Sequence, residues 1–225
     1  MLNAMENQDS EKPARRRNKR GEATRETIVS AAVRCVQRSG YAATSIETVI
    51  AEAAVGRGSL LHQFPTRVDL MAATAEAAMS RMVSHASDRL TQISTPRDRL
   101  FALFDLAWEA HNLPEAVAVT EVLLASRWDE ALGTAIRGMV EGVERKIDRL
   151  HVRLARDNAM RDVSSFIIYG RLLNSNLRGL TIELMFNANR GMILKALEAE
   201  RQKHRRLCVE WLTEAADDRT LPRTA

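Results

Sequence analysis

Residues 53–70, AAVGRGSLLHQFPTRVDL, constrain this chain more than any other stretch. Val55 and Gly56 make a turn, and a short helix runs from about residue 57 to residue 63. Phe64-Pro65 closes it, because proline disfavours helical geometry in the residue before it. Thr66 then caps a much longer helix, with Asp69 three residues on. This is the pattern of the turn and second helix of a helix-turn-helix, whose exposed side enters a DNA major groove. No linker separates it from the rest of the chain.

The remaining periodicity is helical throughout. Ile28, Ala31, Ala32, Cys35 and Val36 form one stripe of a first helix over about 23–38, which Gly40 ends. Thr44 or Ser45 caps helix 2, with Glu47 or Thr48 completing its first turn. Helix 4 continues to about residue 90. Thr95-Pro96-Arg97-Asp98 opens helix 5 with a cap, a proline and an acid in order. Pro114 opens helix 6, and helix 7 reaches about residue 156. Gly138 and Gly142 weaken helix 7 unless a neighbour packs closely there. Helix 8 spans about 162–186 on a stripe of Phe166, Tyr169, Leu173, Leu177, Leu180 and Leu184, and helix 9 follows a turn at 187–190. No strand-like alternation occurs. The expected fold is all-α: an N-terminal three-helix helix-turn-helix domain joined to a C-terminal helical domain, about nine helices in all. The expected boundaries are a basic disordered arm (1–21), the DNA-binding domain (22–69), a helical effector-binding and dimerisation domain (70–216) and a disordered tail (217–225).

Hydrophobic residues at 45% with aromatics at only 4% suit packed helices rather than sheets. No run of 18 apolar residues exists to span a membrane, and no apolar segment follows the charged N-terminus as in a secretory signal. A cytoplasmic protein is expected. Net charge is +4, yet Lys12, Arg15, Arg16, Arg17, Lys19 and Arg20 crowd into nine residues. Such a block is either a solubilising tail or an arm that tracks DNA phosphates. Cys35 and Cys208 fall on apolar stripes, as buried thiols do. The five histidines form no metal-ligand pairs, and no metal or cofactor is expected. Walker, dinucleotide-binding, nucleophile-elbow and zinc-protease motifs are absent, so the chain does not read as an enzyme.

The distributed set Ile28, Ala31-Ala32, Gly40-Tyr41, Thr44, Val55, His62, Phe64, Pro65 and Leu70 resembles the TetR/AcrR family of bacterial transcriptional regulators. Glu121-Val-Leu-Leu-Ala-Ser-Arg127, with Asp129 and Leu132, looks like helix 6 of many members. The resemblance implies a homodimer through helices 8 and 9, a small-molecule effector held by the C-terminal domain, and a palindromic double-stranded DNA operator. Phe166, Leu173, Leu177, Leu180, Leu184, Leu197 and Trp211 are the expected dimer contacts. Three residues depart from the family pattern: Ala54 stands where glycine is usual, Ile50 where alanine is, and Leu61 where tyrosine is common.

Candidate DNA contacts follow from position. Arg57 opens helix 3, where a guanidinium pairs bidentately with guanine, worth about 1–3 kcal/mol of discrimination. Ser59 reaches a base edge or a phosphate, and Leu61 contacts a thymine methyl or packs inward. The resemblance places His62 and Gln63 at the DNA backbone, and Tyr41 adds another backbone contact. Thr44 and Ser45 start helix 2, and Thr66 and Arg67 start helix 4, where free amides favour a phosphate. Phe104, Trp108, His111, Glu121, Trp128, Met139 and Tyr169 are candidate effector-pocket residues, polar groups on otherwise apolar helices. They suit a mostly apolar ligand with one polar or charged group. Asn174 and Asn176 are either ligand groups or markers of dimer register. Arg201, Lys203, His204, Arg205 and Arg206 read as a solvated face. The rival to a ligand-responsive repressor is an architectural DNA-binding protein of the same fold that needs no effector.

Overall fold

A computed structural model describes residues 11–220, and side chains over 19–215. Every regular element among these residues is a helix: α1 (Glu11–Ala43), α2 (Ile46–Ala53), α3 (Arg57–Gln63), α4 (Arg67–Gln92), α5 (Pro96–His111), α6 (Pro114–Ala125), α7 (Glu130–Asp157), α8 (Val163–Phe186) and α9 (Gly191–Thr220). The capping signals do their expected work. Ser45 accepts from the amide of Thr48, whose hydroxyl accepts from the amide of Ser45. Thr66 and Asp69 make the same reciprocal pair, and Thr95 accepts from the amide of Asp98 behind Pro96.

Two boundaries differ from the sequence expectation. The basic segment over 11–21 has helical backbone continuous with α1, whereas disorder was expected; residues 1–10 lie outside the described residues. Alanine, arginine and lysine are good helix formers, and Pro13 sits in the first turn, where a missing amide proton costs little. Gly40, at φ 78° and ψ 168°, is the only non-helical break within α1. At the other end α9 runs on to Thr220, so the expected tail is helical over 217–220, and 221–225 lie outside the described residues.

The chain divides into two compact units that are not consecutive in sequence. The first takes Met1–Ala78 with Val117–Arg137; the second takes Met79–Ala116 with Gly138–Ala225. The expected boundary near residue 69 therefore falls within the first unit, which also claims most of α6 and the start of α7. In this unit Ile28, Ala31, Ala32, Cys35 and Val36 of α1 are buried, as are Val49, Leu60, Phe64, Leu70 and Met71, and α1 packs against α2 and α3. Leu60 and Phe64 anchor α3, so its opposite side is left to solvent.

α5, α8 and α9 pack on one another in the second unit. Leu100, Leu103, Phe104, Phe166, Leu173, Leu177 and Cys208 fill the core between them. His204, expected on a solvated face, is fully buried here. Its Nε2 lies 3.0 Å from the carbonyl of Leu100, which fixes the proton there and leaves Nδ1 to accept the Tyr169 hydroxyl at 2.7 Å. Burial holds His204 below the usual histidine range and pushes the neighbouring Cys208 thiol up to about 12. Both cysteines are free and buried, as expected. Among the described residues nothing lies within 4 Å of a Cβ built at Gly138, and only the end of Arg145 does so at Gly142, so no close neighbour explains these glycines there.

Two backbone positions carry testable consequences. Ala54 caps α2 in the left-handed region, at φ 52° and ψ 41°. A residue with a Cβ is strained there by roughly 1–2 kcal/mol, and glycine is not. Ala54→Gly is expected to raise unfolding free energy by about 1 kcal/mol in urea titrations. At Gly170 the buried His151 ring lies where a Cβ would stand, only 2.2 Å from its Nε2. Gly170→Ala is expected to cost about 1–3 kcal/mol by overpacking, and adding His151→Ala should recover part of that loss.

Candidate nucleic-acid interface

The exposed side of α3 presents Arg57, Gly58, Ser59 and His62. Their backbone is held by the Leu60–Phe64 anchor, while Gly56 supplies an extended N-cap without a side-chain bond. Arg57 reaches back to Glu47 of α2 at 2.6 Å, both side chains mostly in water. The carboxylate of Glu47 is held below its ordinary range by that guanidinium. Arg57 is thus loosely steered in front of α3, free to exchange Glu47 for a base edge or a phosphate. Leu61 and Gln63 are half-buried. Gln63 also ties to α1, its amide nitrogen donating to the carbonyl of Gly21 at 3.4 Å. Lys19 and Arg20 are exposed near the N-terminal part of α1.

Four expected phosphate contacts have structural duties within the protein. Thr44 is 1% exposed and its hydroxyl donates to the carbonyl of Gly40 at 2.8 Å, so it cannot face DNA. Its threonine signal belonged to the α1–α2 turn, and Ser45 is the cap. Arg67 donates through Nε to the carbonyl of Thr44 at 2.9 Å and through its terminal nitrogen to that of Tyr41, and stacks over the Tyr41 ring at 4.1 Å. It joins the start of α4 to the end of α1. The Tyr41 hydroxyl donates to Asp129 at 3.3 Å and its amide to Glu121 at 2.9 Å, and burial pushes the phenol's pKa up. Thr66 is exposed, but its hydroxyl donates to Asp69 at 2.7 Å within the cap.

The expected effector pocket is also rearranged. Phe104 is a fully buried core residue, and Tyr169 is bound to His204. Trp108 packs against the same core, and Met139 is half-buried on α7. His111 is buried, and burial, reinforced by the charge of Arg178, lowers its pKa to about 4, with Asn174 as a side-chain partner. Asn174 also donates to the carbonyl of Gly170 at 2.9 Å, whereas Asn176 turns to Glu200 at 3.4 Å. Glu121 and Trp128 belong to the first unit, where they line an open cleft of about 390 Å³ with Tyr41, Ala42, Leu124, Ala125 and Asp129.

The expected dimer contacts need a similar correction. Phe166, Leu173, Leu177 and Leu197 are buried inside the protomer itself, and Trp211 packs edge-on against Phe166 and Tyr169. Leu180 and Leu184 are only half-buried. The stripe chosen from sequence was the inner face of α8. A second stripe, Ile168, Leu172, Ile182 and Phe186, is exposed, with Ser175 and Gly179 in the same line. Its steps of three and four residues were equally visible in the sequence, but periodicity alone does not say which face meets the core.

Residues 28–74 match the family model described as bacterial regulatory proteins, tetR family. The HTH-type transcriptional regulator CymR of Pseudomonas putida is 25% identical over 174 residues, 77% of this chain and 79% of CymR. A TetR transcription regulator from Haloarcula marismortui superposes with a TM-score of 0.61 at 22% identity, over 88% of this chain and 98% of that one. The transcriptional regulator FadR from Bacillus subtilis, solved in complex with stearoyl-CoA, gives 0.60 at 12% identity, covering 80% of this chain and 96% of FadR.

Because Arg67 ties backbone and ring rather than facing outward, Arg67→Ala is expected to lower the thermal midpoint of the first unit. Arg57→Ala is expected to leave that midpoint unchanged while compressing the ratio of matched to scrambled DNA affinities about tenfold, since one bidentate base contact carries about 1–3 kcal/mol. Calorimetry and binding curves on the two DNAs separate these effects. Equal losses on both DNAs for Arg57→Ala would sink its role as base reader.

Proposed function

Proceeding from a chain that is a DNA-binding transcriptional regulator of the TetR family, we propose that it works as a homodimeric repressor on a palindromic operator and is released by a small, mostly apolar effector. The carrying observation is the pairing of two unoccupied faces: the exposed side of α3 and the exposed apolar stripe of α8. A short helix reads only a few base pairs, so a two-fold dimer doubles the site and makes the operator palindromic. On α8 the stripe lies opposite the buried residues Phe166, Leu173 and Leu177, and its large side chains are 44–88% exposed in the single chain. Met192, Leu194 and Val209 of α9 are exposed apolar residues as well. Surface of this kind marks an interface.

In this scheme Arg57 and Ser59 read base edges, and Leu61 touches a thymine methyl at the edge of the groove. His62, Gln63 and the free amides behind Ser45 take phosphates, and Lys19 and Arg20 extend the basic track along α1. Phosphate contacts position the dimer, and base contacts give it sequence preference.

Selection of genomic fragments by the purified protein at physiological salt, followed by footprinting, tests the operator. One or two palindromes beside neighbouring genes are expected; dozens of dispersed sites would favour an architectural role. For the dimer, Leu172→Glu places a charge in the middle of the α8 stripe. Sedimentation should then show monomers, and palindrome affinity should fall at least a hundredfold while half-site binding persists. A Leu172→Glu protein that remains dimeric would move the interface elsewhere.

A further inference from the structure

The cleft beside Tyr41 presents a combination that the DNA-binding scheme leaves unused. Two carboxylates, Glu121 and Asp129, line it, and neither has a cationic partner among the described residues. Glu121 accepts only the amide of Tyr41; Asp129 accepts the Tyr41 hydroxyl and the amide of Leu132 at 3.0 Å. The rest of the lining is apolar or aromatic: Leu124 is 54% exposed and Trp128 85% exposed. A largely solvated tryptophan and a half-exposed leucine thus stand next to two carboxylates without a cationic partner. At about 390 Å³ the cleft falls within the size range of small-molecule sites, roughly 300–1,000 Å³.

We propose that this cleft binds a small amphipathic organic cation, such as an alkylated ammonium, and that this cation is the effector. Its positive group is placed by Glu121 and Asp129 and by the face of the Trp128 indole, and its apolar body lies against Leu124 and Ala125. The aromatic groups here already attract cations: Arg127 lies 5.5 Å from the Trp128 ring centroid and Arg67 4.1 Å from that of Tyr41. Desolvated ammonium groups gain more from such a face than solvated ones. An anionic ligand would meet two carboxylates, and a neutral one would leave them without a cationic partner.

The same contacts supply the coupling. Tyr41 gives both its amide and its hydroxyl to the two carboxylates, and its carbonyl and ring to Arg67. A cation that draws Glu121 and Asp129 toward itself competes with Tyr41, loosening the segment that leads from Gly40 to the Ser45 cap of α2. The effect on DNA rests on the regulator function proposed above; binding of the cation does not.

Hexyltrimethylammonium is the probe, with hexanol and hexanoate as neutral and anionic counterparts, titrated against the full chain by tryptophan fluorescence. Saturable binding of the cation alone is expected. Glu121→Gln with Asp129→Asn should weaken it at least tenfold while keeping oxygen acceptors for Tyr41 and Leu132. Trp128→Ala, at an exposed position, should weaken it similarly without altering the fold. Bound cation should lower affinity for the selected operator at least fivefold, and the double variant should lose that response. Equal binding of all three probes, absence of saturation, or undiminished binding by the double variant would overturn the site. Binding without any change in operator affinity would overturn the effector role. Failure of the genomic selection would sink the operator instead, because the fluorescence titration needs no DNA.

Discussion

Arg67 sits over the Tyr41 ring while its guanidinium donates to the carbonyls of Tyr41 and Thr44, so the start of α4, the end of α1 and the entry to α2 depend on one cation. Those carbonyls lie where α1 has been broken by Gly40 and α2 has not yet begun, and the Tyr41 carbonyl also accepts the amide of Thr44 at 3.2 Å. Hydrogen bonds from a charged donor contribute more than neutral ones, about 1.5–3 kcal/mol each. With α1 and α2 fixed at this corner, the Leu60–Phe64 anchor sets the angle of α3, and with it the direction of Arg57 and His62.

The second half of this corner comes from far along the chain. Glu121 and Asp129 arrive from α6 and from the turn before α7, and both bind Tyr41. A Cβ at Gly40 would stand 3.2 Å from the Glu121 carboxylate, so the glycine serves both its positive φ and the close approach of that oxygen. The first unit is therefore not the N-terminal segment alone. Val117–Arg137 is part of it, which puts the conformation of Tyr41 under the influence of α6.

Much of this was legible in the sequence, wherever local chemistry decides. The Ser45, Thr66 and Thr95 caps, Pro96 at the head of α5, the Phe64-Pro65 stop and the bounds of α3 follow from interactions within a few residues. Ala54 was legible as a strained substitute for glycine, and its backbone is left-handed as that implied. Hidden were the partners of polar side chains across distant segments. Arg67 looked like a phosphate contact because its position, not its partners, was visible. His204 looked solvated amid Arg201, Lys203, Arg205 and Arg206, because nothing local reveals that one residue of a charged run turns inward to Tyr169 and Leu100.

α8 shows why the inner and outer faces of a helix are harder to tell apart than its ends. Phe166, Tyr169, Leu173 and Leu177 recur in three- and four-residue steps, as do Ile168, Leu172, Ser175 and Gly179, so each set forms a stripe along the helix. The inner set is larger and includes two aromatics, one of which reaches His204 with its hydroxyl. The outer set narrows at Ser175 and Gly179 before broadening again to Ile182 and Phe186. Small residues in the middle of an exposed apolar line let a facing helix approach closely, which a solvated surface has no reason to require. A helix apolar on two opposite sides packs stably only when both sides are covered, and the protomer's own core covers just one of them. The inner stripe thus belongs to the folding of the chain, and the outer one is the surface proposed above for assembly with a second copy.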